Sequence, residues 1–468
     1  MSNRMHAATW DAQLLNAQRT KRFGVSSDVL AKVLVRAMVQ APEDISRADI
    51  AGGAMLARPT TVNPAIVSKA VAALIDMDVL VEGALRPDEK RTGRPVKPLR
   101  LDGDTWGLAG ITVEHNDDKP VALTGLITSL RADIDRDVLV EHTVELRDAS
   151  FFDLAHHIHQ LIEHLQQELN TIEGRPKGQA RQLMGIGIQV AAPVHQGKIL
   201  GGTHIGIPAG EDYDLATPLQ DLTGIPVVVD NDVNLLAVRE LYRSEYKERD
   251  LAIVAVLQDG VGAALILDGH VYRGGGGMAG EPGHHQVLPL PLPPTLDEES
   301  LRHSLSVGAC HCGKENHVDC FAVPVRLRSA LDQPFKDAAR VRSRDENSEL
   351  TEAGWIFRRG GNALGQGLAT IINSVNPSRI VMMMRKELAS VARGDQSAAA
   401  EYIDAMEEAV DEYSFNRGAH NARAGANMLT RVTLDPQQTP RIGALCAALR
   451  VLDSFVLHAR GRDECGNA

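Results

Sequence analysis

The first hundred residues show helical spacing of apolar positions, broken by turn-forming residues. Ser26 caps a first predicted helix over 26–40, and Ser46 with Asp49 has capping-box spacing at the start of a second. Asn63 as cap and Pro64 at the first helical position begin a third helix. Its predicted inner stripe is Ile66, Val67, Ala70, Val71 and Leu74. A strand-like segment then leads into a Gly- and Pro-rich hairpin.

Beyond Leu101 the pattern changes to apolar strands that alternate with helices. Strands or strand hairpins are predicted within 105–116, 119–130, 181–202, 225–231, 251–277 and 378–384, and helices within 232–246, 349–375 and 401–413. Strand hairpins alternating with helices indicate an α/β pair of lobes around a cleft. We therefore expect one domain over 1–102 and a second over 103–468.

Composition places the chain among ordinary globular proteins. It has 468 residues, of which 44% are hydrophobic and 24% charged. Five cysteines in this length do not make a disulfide framework, which favours a reducing, cytoplasmic location. No signal-peptide core and no stretch of roughly 18 apolar residues is present, so no membrane partner is expected.

The charge is unevenly spread along the chain. Residues 1–100 carry 15 Lys and Arg against 10 Asp and Glu, although the whole chain has a net charge of −12. Three helices followed by a basic hairpin form the winged helix-turn-helix pattern, which predicts binding to a double-stranded DNA operator by a homodimer or a dimer of dimers. The candidate contacts are Thr60, Thr61, Asn63, Ser68 and Lys69 on the third helix and Arg91, Arg94 and Lys97 in the wing. The alternative is a small protein-interaction domain with an exposed hairpin.

Three of the five cysteines lie in the stretch "CHCGKENHVDC", from Cys310 to Cys320. In a reducing compartment clustered cysteines favour a metal site. A redox pair is disfavoured because no Cys-x-x-Cys stands at a helix start. Several histidines nearby leave the ligand set open at this point.

Three stretches in order, "VVVDNDVNLLAVRE", "GGGGMAGEPGHHQV" and "CHCGKENHVDC", together with "GRP" in the wing, resemble the ROK family, which groups bacterial repressors with sugar kinases. The resemblance runs from about residue 28 to "RIGALCAALRVL" near the C-terminus. It implies an actin/hexokinase-like, ribonuclease H-like two-lobed domain behind the winged helix-turn-helix. It also implies a sugar in the cleft and a structural Zn²⁺ in a loop near 281–320.

The resemblance implies a set of sugar contacts. These are Asn231 and Asp232 at the Asn-Asp motif, Glu281 and His284 at the Glu-x-Gly-His motif, Asp319 after the third cysteine position, and His204 in place of an asparagine. Carboxylates and amides on rigid turns suit the hydroxyl groups of a sugar. The alternative for residues 230–232 is a capping turn before a helix.

For Zn²⁺, the resemblance implies His284, Cys310, Cys312 and His317, the last standing at the family's third cysteine position. This is a tetrahedral N₂S₂ donor set. Cys320 is an alternative to His317, and His285 and His311 are further alternatives. The family's last glycine is replaced by Asn316.

The phosphate-binding motifs of the family's kinases are altered. Thr112 stands at the aspartate of their first turn, Glu114 and His115 stand at its glycines, and Asp259 enters the second turn. A glycine near the adenosine is replaced in "IVMMM". We therefore expect a sugar-responsive repressor without enzymatic activity. The alternatives are a sugar kinase with a DNA-binding head, in which Asp232 would be the base, and a ligand-independent DNA-binding protein whose cleft is a scaffold.

Overall fold

The computed structural model describes residues 45–52, 63–83, 97–116, 119–130, 138–147, 149–174, 180–202, 207–243, 250–297, 309–392, 394–415 and 428–464. The chain is a mixed α/β protein that divides into two compact units. The first contains the residues up to 248 together with those from Pro440 onward, and the second contains residues 249–439. The domain boundary between residues 102 and 103 stays a prediction.

Among the described residues, the N-terminal elements are two helices and an antiparallel pair of strands. They are α1 (Arg47–Gly52), α2 (Pro64–Asp76), β1 (Leu80–Glu82) and β2 (Leu99–Leu101). The capping box before α1 is confirmed: Asp49 N donates to Ser46 Oγ at 3.1 Å, and Ser46 N donates to Asp49 Oδ2 at 3.0 Å. The helix predicted over 26–40 lies outside the described residues.

Helix α2 begins as its sequence predicts. The amide of Ala65 donates to Asn63 Oδ1 at 2.9 Å, and Pro64 is the first helical residue. Its buried stripe includes Val67, Ala70, Val71 and Leu74. The prediction that Ile66 belongs to this stripe is wrong, because this residue lies in the first turn with 40% of its surface exposed.

The first unit is built on a five-stranded sheet of order β10-β6-β3-β4-β5. Its strands are β3 (Trp106–Asn116), β4 (Lys119–Ser129), β5 (Val138–Glu145), β6 (Gln182–Val190) and β10 (Val227–Asn231). A smaller sheet of order β7-β8-β9 contains β7 (Val194–His195), β8 (Lys198–Gly202) and β9 (Ile207–Tyr213). The helices are α3 (Leu154–Glu173), α4 (Ala216–Thr223), α5 (Asp232–Arg243) and the C-terminal α11 (Thr439–Glu464).

Helices α3 and α11 cover opposite faces of this sheet. Apolar residues of α3 such as Leu161 pack with alternate residues of β3, β4 and β6. On the other face α11 approaches the backbone directly: a Cβ on Gly110 or Gly187 would lie 1.8 Å from a carbonyl oxygen of the helix. Glycine at both positions is therefore what allows the helix to lie against the sheet.

The second unit has a five-stranded sheet of order β13-β12-β11-β14-β15. Its strands are β11 (Leu251–Val256), β12 (Val261–Leu267), β13 (His270–Tyr272), β14 (Arg379–Met384) and β15 (Leu429–Thr433). Its helices are α6 (Pro324–Ala330), α7 (Phe335–Ala338), α8 (Glu352–Val375), α9 (Lys386–Ala389) and α10 (Ala398–Tyr413). A core around Phe357 and Tyr402 joins the sheet to α8 and α10.

The strands predicted beyond Leu101 are confirmed, as are the helices now seen as α5, α8 and α10. Two helices that the sequence interpretation did not predict, α3 and α11, flank the first sheet. Within the described residues, no helix combines the length and apolarity that crossing a membrane requires.

Candidate metal centre and ligand-binding residues

Four ligating side chains converge in the second unit. One ligand atom from each of His284, Cys310, Cys312 and His317 lies within 4.8 Å of the others. Cys310 Sγ is 3.2 Å from His284 Nδ1, and Cys312 Sγ is 3.4 Å from His317 Nδ1. Two thiols and two imidazoles form a donor set that Zn²⁺ prefers in structural sites.

Backbone pairing brings the two ligand-bearing segments together. His284 ends a 3₁₀ turn (Pro282–His284), and His317 precedes another (Val318–Cys320). Val287 N donates to Asn316 O at 2.8 Å, and Val318 N donates to His285 O at 3.1 Å. The position of His317 relative to His284 is thus set by the main chain.

The tight loop between Cys310 and His317 depends on left-handed backbone. Gly313 has φ +79°, and Asn316 has φ +57°. Asparagine adopts this region more readily than other non-glycine residues. The replacement of the family's last glycine by Asn316 therefore keeps the turn.

The pKa shifts of the two histidines suit metal binding. Burial, followed by nearby cationic groups, lowers the pKa of His284 and of His317, which favours the neutral imidazoles that bind metals. Burial raises the pKa of the Cys310 thiol to about 12, so a bound cation would be needed to hold it as thiolate. These residues fit Zn²⁺.

The alternative ligands lie outside the four-residue cluster. Cys320 is buried, and its Sγ is 3.8 Å from the carbonyl oxygen of Lys314. His285 and His311 are not among the four either. The convergence supports His317 over Cys320 as the fourth ligand.

Asp319 is a buried carboxylate next to this cluster. Its Oδ1 accepts a hydrogen bond from Val261 N at 2.8 Å, and burial raises its pKa to about 6. A Cβ on Gly283 would lie 2.3 Å from the same oxygen. Gly283, the glycine of the Glu-x-Gly-His motif, is therefore required for this close approach. Glu281 lies two residues before Gly283 in the sequence.

In the first unit, Asn231 and Asp232 lie where β10 passes directly into α5. Asn231 Oδ1 accepts from Val233 N at 2.9 Å, so this side chain caps the helix, and its Nδ2 donates to Ala192 O at 3.2 Å. The preceding Asp230 is buried and accepts a hydrogen bond from Arg450 Nε on α11 at 2.7 Å. The turn with the predicted sugar contacts is thus tied to the C-terminal helix.

The residues that correspond to the first phosphate turn of the family's kinases belong to strand β3 in this chain. Thr112, 4% exposed, donates to the carbonyl oxygen of Pro440 at 2.8 Å. Glu114 accepts a hydrogen bond from Thr124 at 3.2 Å, and the β3–β4 register shifts between Glu114 and His115. Side chains therefore stand at positions where a phosphate-binding turn needs glycine, so that its backbone can approach the phosphate.

The second phosphate turn joins β11 and β12 in the other unit. Asp259 is exposed in this turn, and Leu257 N donates to Gly260 O at 2.9 Å. Met384, at the end of β14, is fully buried in the core. A carboxylate in the turn and a bulky side chain at the end of the strand both disfavour a bound nucleotide.

The predicted DNA-contacting residues that the structure describes are exposed. Asn63, Ser68 and Lys69 lie on the outer face of α2. Lys97 also lies at the surface, where its Nζ is 2.8 Å from Glu82 Oε2. Thr60, Thr61, Arg91, Arg94 and the sugar candidate His204 lie outside the described residues.

The comparison with protein families decides the classification. The model of the ROK family matches residues 124–431. The chain belongs to the ROK family. Its crystal-structure neighbours include a ROK family transcriptional regulator, a homologue of the E. coli MLC protein, with a TM-score of 0.63 and 19% identity over 92% of this chain and 98% of that one. The predicted family and its actin/hexokinase-like α/β fold are confirmed.

Curated relatives within the ROK family include both regulators and kinases. The xylose repressor of Bacillus spizizenii is 25% identical over 336 residues, which are 70% of this chain and 77% of the repressor. The glucokinase of Halalkalibacterium halodurans is 27% identical over 218 residues, which are 42% of this chain and 60% of the kinase. Similarity to the repressor extends over more of the chain.

The sequence interpretation missed two groups of polar residues. One lines a cavity of about 800 Å³ in the second unit, at the ends of β14 and β15, where Lys336, Arg340, Arg385 and Lys386 face three carboxylates. The other is a cluster of His142, His164 and Glu168 in the first unit. The histidine-rich, amphipathic segment that forms α3 was a signal for the second group.

Proposed function

We propose that this ROK protein is a DNA-binding transcriptional repressor that responds to a sugar or sugar derivative and has no sugar kinase activity. The exposed polar face of α2, presented next to the β1–β2 hairpin, carries this proposal. Asn63, Ser68 and Lys69 form a surface that can contact base edges and phosphates in a major groove. A homodimer is the expected DNA-binding species, because winged heads read paired half-sites.

Side-chain hydrogen bonds connect the wing to helix α1. Glu82 on β1 accepts hydrogen bonds from Arg47 on α1 and from Lys97 in the wing. This carboxylate fixes the base of the hairpin relative to α1. The basic wing, including Arg91 and Arg94, would then add contacts to DNA phosphates.

For the sugar, we propose as contacts Asn231, Asp232, Glu281, His284, Asp319 and His204. The β10–α5 turn holds the first pair rigidly through the Asn231 cap. Rigid turns that present amides and carboxylates suit a polyhydroxyl ligand. The xylose repressor among the relatives supports a sugar as the class of effector.

The two phosphate turns support the proposed absence of kinase activity. Phosphoryl transfer depends on positioning and on neutralising phosphate charge. Here Thr112 is engaged in packing, and Glu114 and Asp259 would repel phosphate oxygens. Asp232 would be the base in a kinase, but neither turn has the open backbone that the phosphates of ATP require.

Zn²⁺ at His284, Cys310, Cys312 and His317 is proposed to be structural. Four protein ligands leave no position for substrate, so the ion would hold the two 3₁₀ turns together. Chelation of the ion from purified protein should lower the melting temperature and abolish the sugar response. Unchanged melting after chelation, or in a Cys312→Ser protein, would contradict a structural ion.

A thermal-shift panel of sugars and sugar phosphates, each with and without Mg-ATP, tests the function. A ligand at 100 times its Kd stabilises the folded protein by about 2.7 kcal/mol. The proposal expects at least one sugar to raise the melting temperature and Mg-ATP to add nothing. Stabilisation by Mg-ATP, followed by phosphate transfer to the sugar, would replace it with the kinase.

A further inference from the structure

Three ligating side chains that the proposed function does not use meet in the first unit. His142 lies on β5, and His164 and Glu168 lie on α3. One ligand atom from each lies within 4.8 Å of the other two. The imidazole centroids are 4.4 Å apart, and His164 Nε2 is 3.8 Å from Glu168 Oε2.

The fold itself creates this arrangement. β5 is the edge strand of its sheet, and His142 pairs across the strands with Gly125, which has no side chain. A Cβ on Gly125 would lie 2.8 Å from Leu161 of α3, so the helix lies close to this part of the sheet. His164 and Glu168 are four residues apart and therefore share one helix face.

The cluster lies where an ion from solvent can reach it. The side chain of His164 is 52% exposed and that of Glu168 is 41% exposed, whereas His142 is half-buried. Imidazole nitrogens and a carboxylate oxygen are ligands for Zn²⁺ and for neighbouring transition metals. Three protein ligands leave at least one coordination position for water.

We propose that His142, His164 and Glu168 form a second divalent transition-metal site, separate from the Cys/His cluster of the other unit. Bound metal would fasten the edge strand β5 to α3. The two sites differ in donor atoms, because only the Cys/His cluster offers thiolates. Cobalt(II), a spectroscopic substitute for Zn²⁺, therefore distinguishes them: thiolate ligands give sulfur-to-cobalt charge-transfer absorption, and a His₂Glu site gives none.

The test is a Co²⁺ titration of the full chain after removal of metal under reducing conditions. The wild type should bind one equivalent with charge-transfer absorption and a second without it. His142→Gln combined with His164→Gln should lose the second equivalent and keep the first. Cys312→Ser should reduce the charge-transfer absorption and leave the second equivalent in place.

His159→Gln is the matched control. His159 and Glu163 form another His–Glu pair on α3, with 3.7 Å between Nε2 and Oε1, but that pair is not part of the three-residue cluster. This variant should keep both equivalents. An unchanged second equivalent in the double variant, or its equal loss in the control, would overturn the proposal.

Folding of the variants is checked by their melting temperatures without metal. Zn²⁺ should raise the melting temperature of the Cys312→Ser protein, and this rise should become smaller when His164→Gln is added. His164 is exposed enough for this single change to leave the fold intact. A rise of unchanged size without His164 would contradict the site.

Discussion

The hydroxyl of Thr112 on β3 donates a hydrogen bond to the carbonyl oxygen of Pro440 in the first turn of α11, across 2.8 Å. A Cβ on Gly443 would lie 2.5 Å from the same hydroxyl oxygen, so strand and helix are in close contact there. Family kinases place the aspartate of a phosphate turn at this position. In this chain the position contributes to packing.

Thr112→Val should lower the free energy of unfolding by about 1 kcal/mol, because a partly buried carbonyl loses a donor while the side-chain shape is kept. Chemical denaturation measures this change. Thr171→Val, at an exposed position of α3, should stay within about 0.5 kcal/mol of the wild type. Equal effects of the two changes would contradict a packing role for Thr112.

Arg450→Met should destabilise the protein by about 3 kcal/mol or more, because it leaves the buried Asp230 carboxylate without its guanidinium partner. Arg441→Met on the same helix removes an exposed pair with Glu141 and should cost less than about 1 kcal/mol. Urea denaturation of both variants measures the difference. A small effect of Arg450→Met would show that α11 does not hold the turn before Asn231.

Much of the fold could be predicted from local patterns. The capping box at Ser46 and the Asn63-Pro64 helix start are short-range signals, and each is confirmed by a hydrogen bond or by the helix boundary. The apolar strands β6, β11 and β14 were equally clear. Ile66 shows the limit of such patterns, because helical spacing does not reveal that this side chain stays exposed in the first turn of α2.

Long-range pairing could not be predicted from one sequence. Asp230 and Arg450 are 220 residues apart, and neither has a local pattern that points to the other. The same holds for His142 and its partners on α3. The metal cluster was predictable because three of its four ligands lie within eight residues and the family motif supplied His284.

Lys69→Ala should weaken binding to specific and non-specific DNA alike. It should also reduce the slope of log affinity against log salt by about 1, because one phosphate contact is lost. Fluorescence anisotropy over a range of salt concentrations measures the slope. Lys198→Ala, an exposed change on β8, is the control and should leave it unchanged. An unchanged slope for Lys69→Ala would place α2 away from the DNA backbone.

The ion pairs of Glu82 should make the stability of the N-terminal elements depend on pH. Its hydrogen bonds from Lys97 and then from Arg47 lower its pKa below the ordinary value of 4.5. A lowered carboxylate pKa stabilises the fold above the unfolded pKa, and that contribution is lost as pH falls through the folded pKa. Because the pair is partly exposed, Glu82→Gln should cost less than about 1 kcal/mol at neutral pH and nothing at low pH.

Unfolding curves from neutral pH down to about pH 3 measure this difference. The wild-type advantage over Glu82→Gln should shrink as pH falls below about 4.5. An advantage that is constant with pH would mean that packing, and not charge, explains the effect.

The proposed function requires that a sugar, without ATP, controls DNA binding by this protein. The direct measurement selects genomic DNA fragments with the purified full chain and then follows their release by fluorescence anisotropy as sugars are added. We expect a sequence-specific fragment that at least one sugar releases with no requirement for Mg-ATP, and a much weaker response in Asp232→Ala. Failure to select any DNA, or conversion of the sugar to its phosphate by Mg-ATP, would contradict it.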